Sequence, residues 1–395
     1  MLESAKPLGI STSRPRELPL AVMLRQLDWL LVIGIAALVG YGLWAVAGVT
    51  SHDVPGQPRY YLSKQELYAG AGAVLFFIAA ALSPHLYRRY WRALYLVAIL
   101  TLLLVPLQGV AKRGSRRWLQ IGFFQFQPSE FAKLLVILAL VGFLAERGRA
   151  LRDPSTIVGV LILVAIPTAL VFIQPDFGTA LVYAAVTAAV LLLAGIRWLY
   201  LAALGLAALV GATLLLWVLP ALGVPVLKPY QTQRLTGFIH PSFDPNGATY
   251  NVAQSKVALG AGGLHGRGAT GSTQTTLGFL PGNPTDFIFA SIGEEHGFVG
   301  LSILLGLYLF VVWRALRALG NAADGYGAVV VGGIVAALVF QVFVNVGMTM
   351  GVAPITGIPL PLVSVGGSSL IANMAALGVL VGIQMRGEGS RRRLR

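Results

Sequence analysis

About ten stretches of roughly twenty apolar residues follow one another along this chain, and no other feature constrains its fold as strongly. They read as membrane-spanning helices near 28–48, 66–83, 91–109, 129–145, 155–173, 177–195, 198–220, 286–313, 326–348 and 366–384. The chain is 56% hydrophobic and 11% charged, where a soluble domain carries about 25% charged residues. That much apolar surface needs lipid as its solvent. The expected fold is therefore an all-α polytopic membrane protein with about ten transmembrane helices and a long extracellular loop between the seventh and eighth. Residues 1–27 read as a cytoplasmic tail, 28–385 as the transmembrane domain with its loop at 221–285, and 386–395 as a basic cytoplasmic tail. No cleavable signal peptide is expected, because residues 1–27 are polar and basic and the first apolar run continues to spanning length.

The basic residues orient the spans. Arg14, Arg16 and Arg25 precede the first. Arg88, Arg89 and Arg92 lie between the second and third, and Arg147, Arg149 and Arg152 follow the fourth. Arg314 and Arg317 follow the eighth, and Arg386 with Arg391 to Arg393 close the chain. All fall on one face, which predicts cytoplasmic termini. The net charge of +14 thus points to topology and anionic lipid, with no nucleic acid among the expected partners. The opposite face should be poor in Lys and Arg, yet the third-to-fourth connection carries Lys112, Arg113, Arg116 and Arg117. An outward-facing anion site explains that excess in so short a loop. The 221–285 connection, with Lys228, Arg234, Lys256 and Arg267, is long enough to cross whatever its charge. It contains Pro225, Pro229, Pro241 and Pro245, and a short re-entrant or interfacial helix is expected around Asn251–Leu259.

Several chemistries are excluded. The absence of cysteine removes disulfides, thiolate metal sites and thiol nucleophiles. No G-x-x-x-x-G-K-[ST] or H-E-x-x-H motif occurs, and the five histidines are scattered. A divalent cation such as Mg or Mn is compatible with the chemistry below, but no ligand cluster is legible.

The stretch from Gln254 to Gly300 passes from glycine-rich and polar to apolar at Thr285–Phe289. Asp286 sits at that lip. It reads either as a helix N-cap shared with Thr285 or as a general base at the membrane surface, its pKa raised by burial beside Phe287 and Phe289. Further along, Glu295 reads as a buried partner for an arginine or lysine, and Glu294 is open between structure and chemistry. The run Gly260–Gly271, beside Lys256 and Arg267, reads equally as a phosphate-binding nest or as an ordinary glycine-rich loop. In Arg113–Lys133, the aromatics suit an interfacial amphipathic segment. Glu130 and Lys133, three apart inside an apolar span, suggest an ion pair. Asp176, in Gln174-Pro175-Asp176-Phe177-Gly178, reads as a local turn acceptor. The break at Gly357–Ser369 requires protein or a polar cavity around it.

Taken together, these segments resemble the SEDS family (RodA/FtsW/SpoVE), the membrane glycosyltransferases of shape, elongation, division and sporulation. The resemblance rests on RRWLQIG…FQPSEFAKL at 116–134, QPDFGTA at 174–180, YNVAQSKVALGAGGLHGRG at 250–268, FLPGNPTDFIFASIGEEHGFVG at 279–300 and GIPLPLVSVGGSS at 357–369. The TGIPLP wording is RodA-like. Gly282 stands where members usually have Glu, and Val365 where they usually have Tyr. The resemblance implies polymerisation of lipid II into β-1,4 glycan on the outer face of the bacterial cytoplasmic membrane, with a class B penicillin-binding protein (a transpeptidase) as partner. It places the family's essential aspartate on Asp286, its basic-aromatic loop on Arg116, Arg117 and Trp118, and its helix pair on Glu130 and Lys133.

On that basis Asp286 takes the proton from the acceptor GlcNAc 4-hydroxyl, which displaces undecaprenyl pyrophosphate and inverts the anomeric centre. Arg116, Arg117, Lys133 and Lys256 are expected to steady the leaving pyrophosphate, with Gln254 and Gln274 as neutral donors. Two rival classes are a lipid II flippase, which needs a polar path across the whole membrane, and a scaffold, whose outward basic residues would tolerate alanine.

Overall fold

The computed structural model describes residues 25–112, 115–122, 124–148, 153–224, 232 and 248–393. Arg14, Arg16, Arg113, Arg149, Arg152, Lys228 and Arg234 lie outside them, as do Pro225, Pro229, Pro241 and Pro245.

Each apolar run folds as a helix. In chain order these are α1 (Trp29–Val49), α2 (Tyr60–Ala81), the short α3 (Pro84–Arg89), α4 (Trp91–Gln108), α5 (Pro128–Arg147), α6 (Pro154–Ile173) and α7 (Phe177–Leu193). Next comes α8 (Trp198–Thr213), which continues through a π-helical turn to Ala221. The long connection then contributes α9 (Ala248–Gly262), α10 (Gly268–Gly271) and α11 (Thr273–Thr276). Last come α12 (Ile288–Asn321), α13 (Gly325–Met350) and α14 (Gly367–Arg393). Among the described residues, eight helices are long and apolar enough to cross a membrane. The other two predicted runs are helical too: α7 has 17 residues, and α2 opens with the polar Ser63-Lys64-Gln65-Glu66. The helix expected around Asn251–Leu259 is α9.

Local sequence sets the helix ends. Asp28 caps α1 by accepting from Leu31 N at 3.1 Å, and Asp324 caps α13 by accepting from Gly327 N at 2.9 Å. Proline opens α3, α5 and α6, where its missing N–H costs no helical bond.

Burial is uneven, and that decides where polar groups survive. In the spanning windows of α5, α13 and α14, 78%, 67% and 83% of residues are buried, against none in α8. Polar side chains of the first three therefore face protein rather than lipid.

One element differs from the expectation of an interfacial segment. The basic-aromatic stretch forms a three-stranded antiparallel sheet, β1 (Val110–Lys112), β2 (Ser115–Ile121) and β3 (Phe124–Phe126), with Ala111 opposite Arg116 and Leu119 opposite Phe126. The alternation in Arg-Trp-Leu-Gln-Ile and Phe-Gln-Phe carries the strand period. It is short, and the aromatics masked it as an interface signal.

At the other end of the bundle, Asp28 ties three helices. Its carboxylate accepts from Arg314 Nη2 at 2.6 Å and from Gln384 Nε2 at 3.0 Å. Arg386 donates to the last carbonyls of α2, Ala80 O at 3.1 Å and Ala81 O at 2.5 Å. Burial by itself would raise the Asp28 pKa. The bonds from Arg314, Gln384 and Leu31, with the Arg314 charge, outweigh it and hold the carboxyl below its ordinary value. A carboxyl depressed on folding stabilises fully above its unfolded pKa of about 3.9, and the contribution is lost as pH falls through the folded value. Asp28→Asn is therefore expected to lower the thermal midpoint at pH 7 and to flatten its decline below about pH 4. Parallel acid limbs for the two proteins would show that this network does not set them.

Candidate active site

Asp286 lies in a turn that the rest of the fold immobilises. Gly282 adopts φ +77, a left-handed conformation that glycine enters without strain. Its carbonyl accepts from Thr285 N at 3.0 Å, Asp286 N at 3.1 Å and Phe287 N at 3.2 Å. The usual family glutamate at this position would have to hold that conformation. From α13, Asn345 Nδ2 donates to Asp286 O at 2.9 Å and to Ile358 O at 2.8 Å. From the segment before α14, Ser364 Oγ donates to Thr285 O at 2.6 Å and Val365 N to Pro284 O at 2.8 Å. This clamp gives the Gly357–Ser369 break its protein surroundings. Asp286 Oδ2 lies 3.4 Å from where a Cβ on Gly357 would stand, so glycine there leaves room beside the carboxylate. The N-cap position of α12 falls on Phe287, one residue past Asp286, with no side-chain cap bond from Phe287. The Asp286 side chain is half-buried, and the next residue, Phe287, packs into a small apolar cluster with Leu280, Val252 and Ile355.

The predicted cations divide into two kinds. Arg116 is exposed on β2, with Trp118 half-buried beside it. Lys256 is exposed on α9, and its ammonium lies against Gly351 at the C-terminus of α13, where the helix dipole favours a cation. Ser255 Oγ fixes that crossing by donating to Thr349 O at 2.8 Å. Arg117 is instead committed internally: Nη1 pairs with Asp176 Oδ1 at 3.6 Å, and Nη2 donates to Pro175 O. Asp176 is more than a local turn acceptor. It caps α7 through Thr179 N at 3.2 Å and accepts from Ser129 Oγ and Gln127 Nε2 at 3.3 Å each, joining β2, α5 and α7. Lys133 is likewise committed, to Glu130 Oε2 at 2.8 Å and Gln341 Oε1 at 2.7 Å. These three side chains, with Asn373, border a cavity of about 20 Å³ between α5, α13 and α14, room for about one water.

Gln341 and Asn345 stand one turn apart on α13, so one helix face joins the Lys133 pair to the Asp286 turn. Neither was singled out in the sequence, although amides spaced i,i+4 in an apolar span are a legible signal. Two further groups were missed. Buried Gln65 on α2 donates to Ser364 O at 3.0 Å. Asp53, in the α1–α2 connection, is hydrogen-bonded by the Asn283 side chain; burial raises its pKa, while Asn283 and His52 pull it down.

The glycine-rich run serves packing. At Gly297 (φ +62, ψ −162) α12 breaks, and residues 263–267 fill the break. Arg267 N donates to Glu294 O at 2.9 Å, Phe298 N to Gly263 O at 2.9 Å and Val299 N to Leu264 O at 3.1 Å. A Cβ on Gly262 or Gly266 would collide with the α12 backbone at Gly293 and Glu295. The loop thus supplies the hydrogen bonds that a broken helix in lipid needs.

Glu295 does not pair with an arginine or lysine as expected. Among the described residues its nearest basic side chain is His296, with Nδ1 at 3.9 Å, and neither carboxylate oxygen has a hydrogen-bond partner. Glu294, fully buried, accepts from Gln274 N, Thr275 N and Thr275 Oγ1 at 2.8–2.9 Å. Gln274 and Gln254 are half-buried, and Gln274 Oε1 has no partner among the described residues. Among those residues no group of three or more His, Asp or Glu could hold a metal ion. Glu130 and Glu294 are already taken up by their protein partners.

Fold and site define a class: a multi-span membrane protein whose carboxylate sits on a clamped turn at a helix head. Residues 25–388 match the profile of the FtsW/RodA/SpoVE family, described as cell cycle protein, and the chain belongs to that family. It is 37% identical over 360 residues to the peptidoglycan glycosyltransferase MrdB of Escherichia coli K12, covering 91% of this chain and 93% of MrdB. The crystal structure of the rod shape determining protein RodA of Thermus thermophilus matches with TM-score 0.66 at 30% identity, over 91% of this chain and 96% of that one. A chain from a peptidoglycan synthase complex, described as coordinating polymerization and crosslinking, matches with TM-score 0.77 at 32% identity, over 91% and 98%.

Proposed function

We propose that this chain joins lipid II units into glycan with Asp286 as general base. It is a peptidoglycan glycosyltransferase, as its family membership and its relatives' names indicate. The observation that carries the role of Asp286 is its placement: a half-buried carboxylate on a turn held from α13 and from the 357–366 segment, with glycine opposite. Asp286 removes the proton from the acceptor GlcNAc 4-hydroxyl as that oxygen attacks the donor MurNAc anomeric carbon. The C–O bond to undecaprenyl pyrophosphate breaks, and the centre inverts. Exposed Arg116 and Lys256 are the cations free to meet the departing pyrophosphate. Trp118, Gln254 and Gln274 line the approach, while Arg117, Glu130 and Lys133 hold the frame. No step is routed through a divalent cation.

The reading extends to topology and partner. Ten spans with both termini cytoplasmic put the Asp286 turn on the extracytoplasmic side of the bacterial inner membrane, serving elongation and rod shape. The match to a synthase complex that couples polymerization to crosslinking supports a class B penicillin-binding protein as partner. A flippase would need an open polar path. The buried polar groups of α5 and α13 instead bond to one another, as Glu130, Lys133 and Gln341 do, or to the backbone of the Asp286 turn, as Asn345 does.

Two measurements test this. Purified protein given lipid II, with and without its transpeptidase, is expected to yield a ladder of glycan strands on a gel; no polymer in either arm would end the proposal. Because the chain has no cysteine, Leu277→Cys reports orientation cleanly. It is expected to react with a membrane-impermeant maleimide in intact cells, whereas Arg317→Cys is not. The reverse pattern would invert the topology.

A further inference from the structure

Glu294 lies two turns into α12 from Asp286 and is 0% exposed. An acidic side chain there, in a segment that enters the membrane, is costly unless its oxygens are satisfied. They are. Oε1 accepts from Gln274 N at 2.9 Å, and Oε2 accepts from Thr275 N at 2.9 Å and Thr275 Oγ1 at 2.8 Å. These donors are the second and third backbone N–H groups of α11 and the Thr275 hydroxyl, so the carboxylate anchors that short helix.

The anchored segment leads back to the Asp286 turn. Gln274 O accepts from Leu280 N at 3.1 Å, and Thr275 O lies 3.5 Å from Asn283 Nδ2. Leu280 O accepts from Asn283 N at 3.2 Å, and the next residue but one, Gly282, holds Asp286 N. A hydrogen-bond relay therefore runs from the second turn of α12, through residues 274–283, to the head of the same helix. The Glu294 carbonyl also accepts from Arg267 N, so one residue fixes both the 263–267 loop and the 273–276 segment.

We propose that Glu294 is a positioning residue for the reaction, setting through the 274–283 relay where the Asp286 carboxylate stands. The proposal rests on Asp286 being the base. Glu294 meets no substrate; removing its bonds lets the turn drift, and a displacement of about 1 Å in reacting geometry costs about 100-fold in rate.

The test compares Glu294→Gln, Glu294→Ala, Thr275→Val and Asp286→Asn in lipid II polymerisation, with turnover expressed per folded molecule from a thermal melt of each. Glu294→Gln keeps one acceptor. Its turnover is expected to fall about 10- to 100-fold with KM for lipid II within about twofold, while Glu294→Ala falls further. Thr275→Val removes only the hydroxyl bond and is expected to lose about three- to tenfold. A purely structural role would lower the melting midpoint and leave turnover per folded molecule unchanged. That result for folded Glu294 variants, with Asp286→Asn inactive, overturns the positioning role alone. An active Asp286→Asn overturns the base assignment beneath it. If neither Glu294 variant folds, Thr275→Val decides, and wild-type turnover there refutes the relay.

Discussion

Asp286→Asn is expected to abolish glycan polymerisation while leaving the protein folded and able to bind lipid II. The bonds recorded around the turn run through the backbone of residue 286: its N–H to Gly282 O and its carbonyl from Asn345. Asparagine keeps both of these backbone bonds and matches aspartate in size. What it loses is the capacity to take a proton, worth about 10²–10⁴-fold for a placed base. Polymer yield close to wild type from purified, folded Asp286→Asn would remove the residue from the mechanism.

Lys133→Met should produce the largest loss of stability. Glu130 is 2% exposed, and Lys133 supplies its cation at 2.8 Å while also bonding Gln341. Removing one member of a buried pair strands the other charge, at about 3–5 kcal/mol. Removing both charges does not. Glu130→Gln with Lys133→Met is therefore expected to melt well above the single Lys133 variant in detergent, although it has lost one more native side chain. Equal midpoints for the single and double variants would show that the stranded Glu130 charge is not what destabilises the single variant. This prediction also separates the frame from the chemistry, because Lys133 has two acceptors of its own.

The two experiments address residues whose legibility in the sequence differed. Asp286 stood out because a charge at the edge of an apolar run is costly and needs a reason. Glu130 and Lys133 stood out because a spacing of three places them on one helix face, and the structure pairs them. The fate of Arg117 was not legible. It reads as a free outward cation like Arg116, and only the approach of β2 to the start of α7 shows it bound to Asp176 and Pro175. Glu295 failed for the related reason that burial can be inferred from hydropathy but the neighbour cannot. The glycine run also has two uses with one signature. Whether its N–H groups face a phosphate or a helix break depends on what the fold brings against them, and α12 breaks at Gly297 where the loop arrives.

The sequence by itself determined that the chain is helical and lies in lipid, where the apolar helices fall, and which carboxylate has most to explain. Those follow from periodicity, length and the cost of placing charge in hydrocarbon, all of which act locally along the chain. Only the tertiary structure decided which cations are already spent, that Asn345 and Ser364 hold the Asp286 turn from two directions, and that Glu294 supports it from beneath. Those depend on contacts between residues as far as 208 positions apart, and a hydrogen bond has no partner until packing brings one within reach.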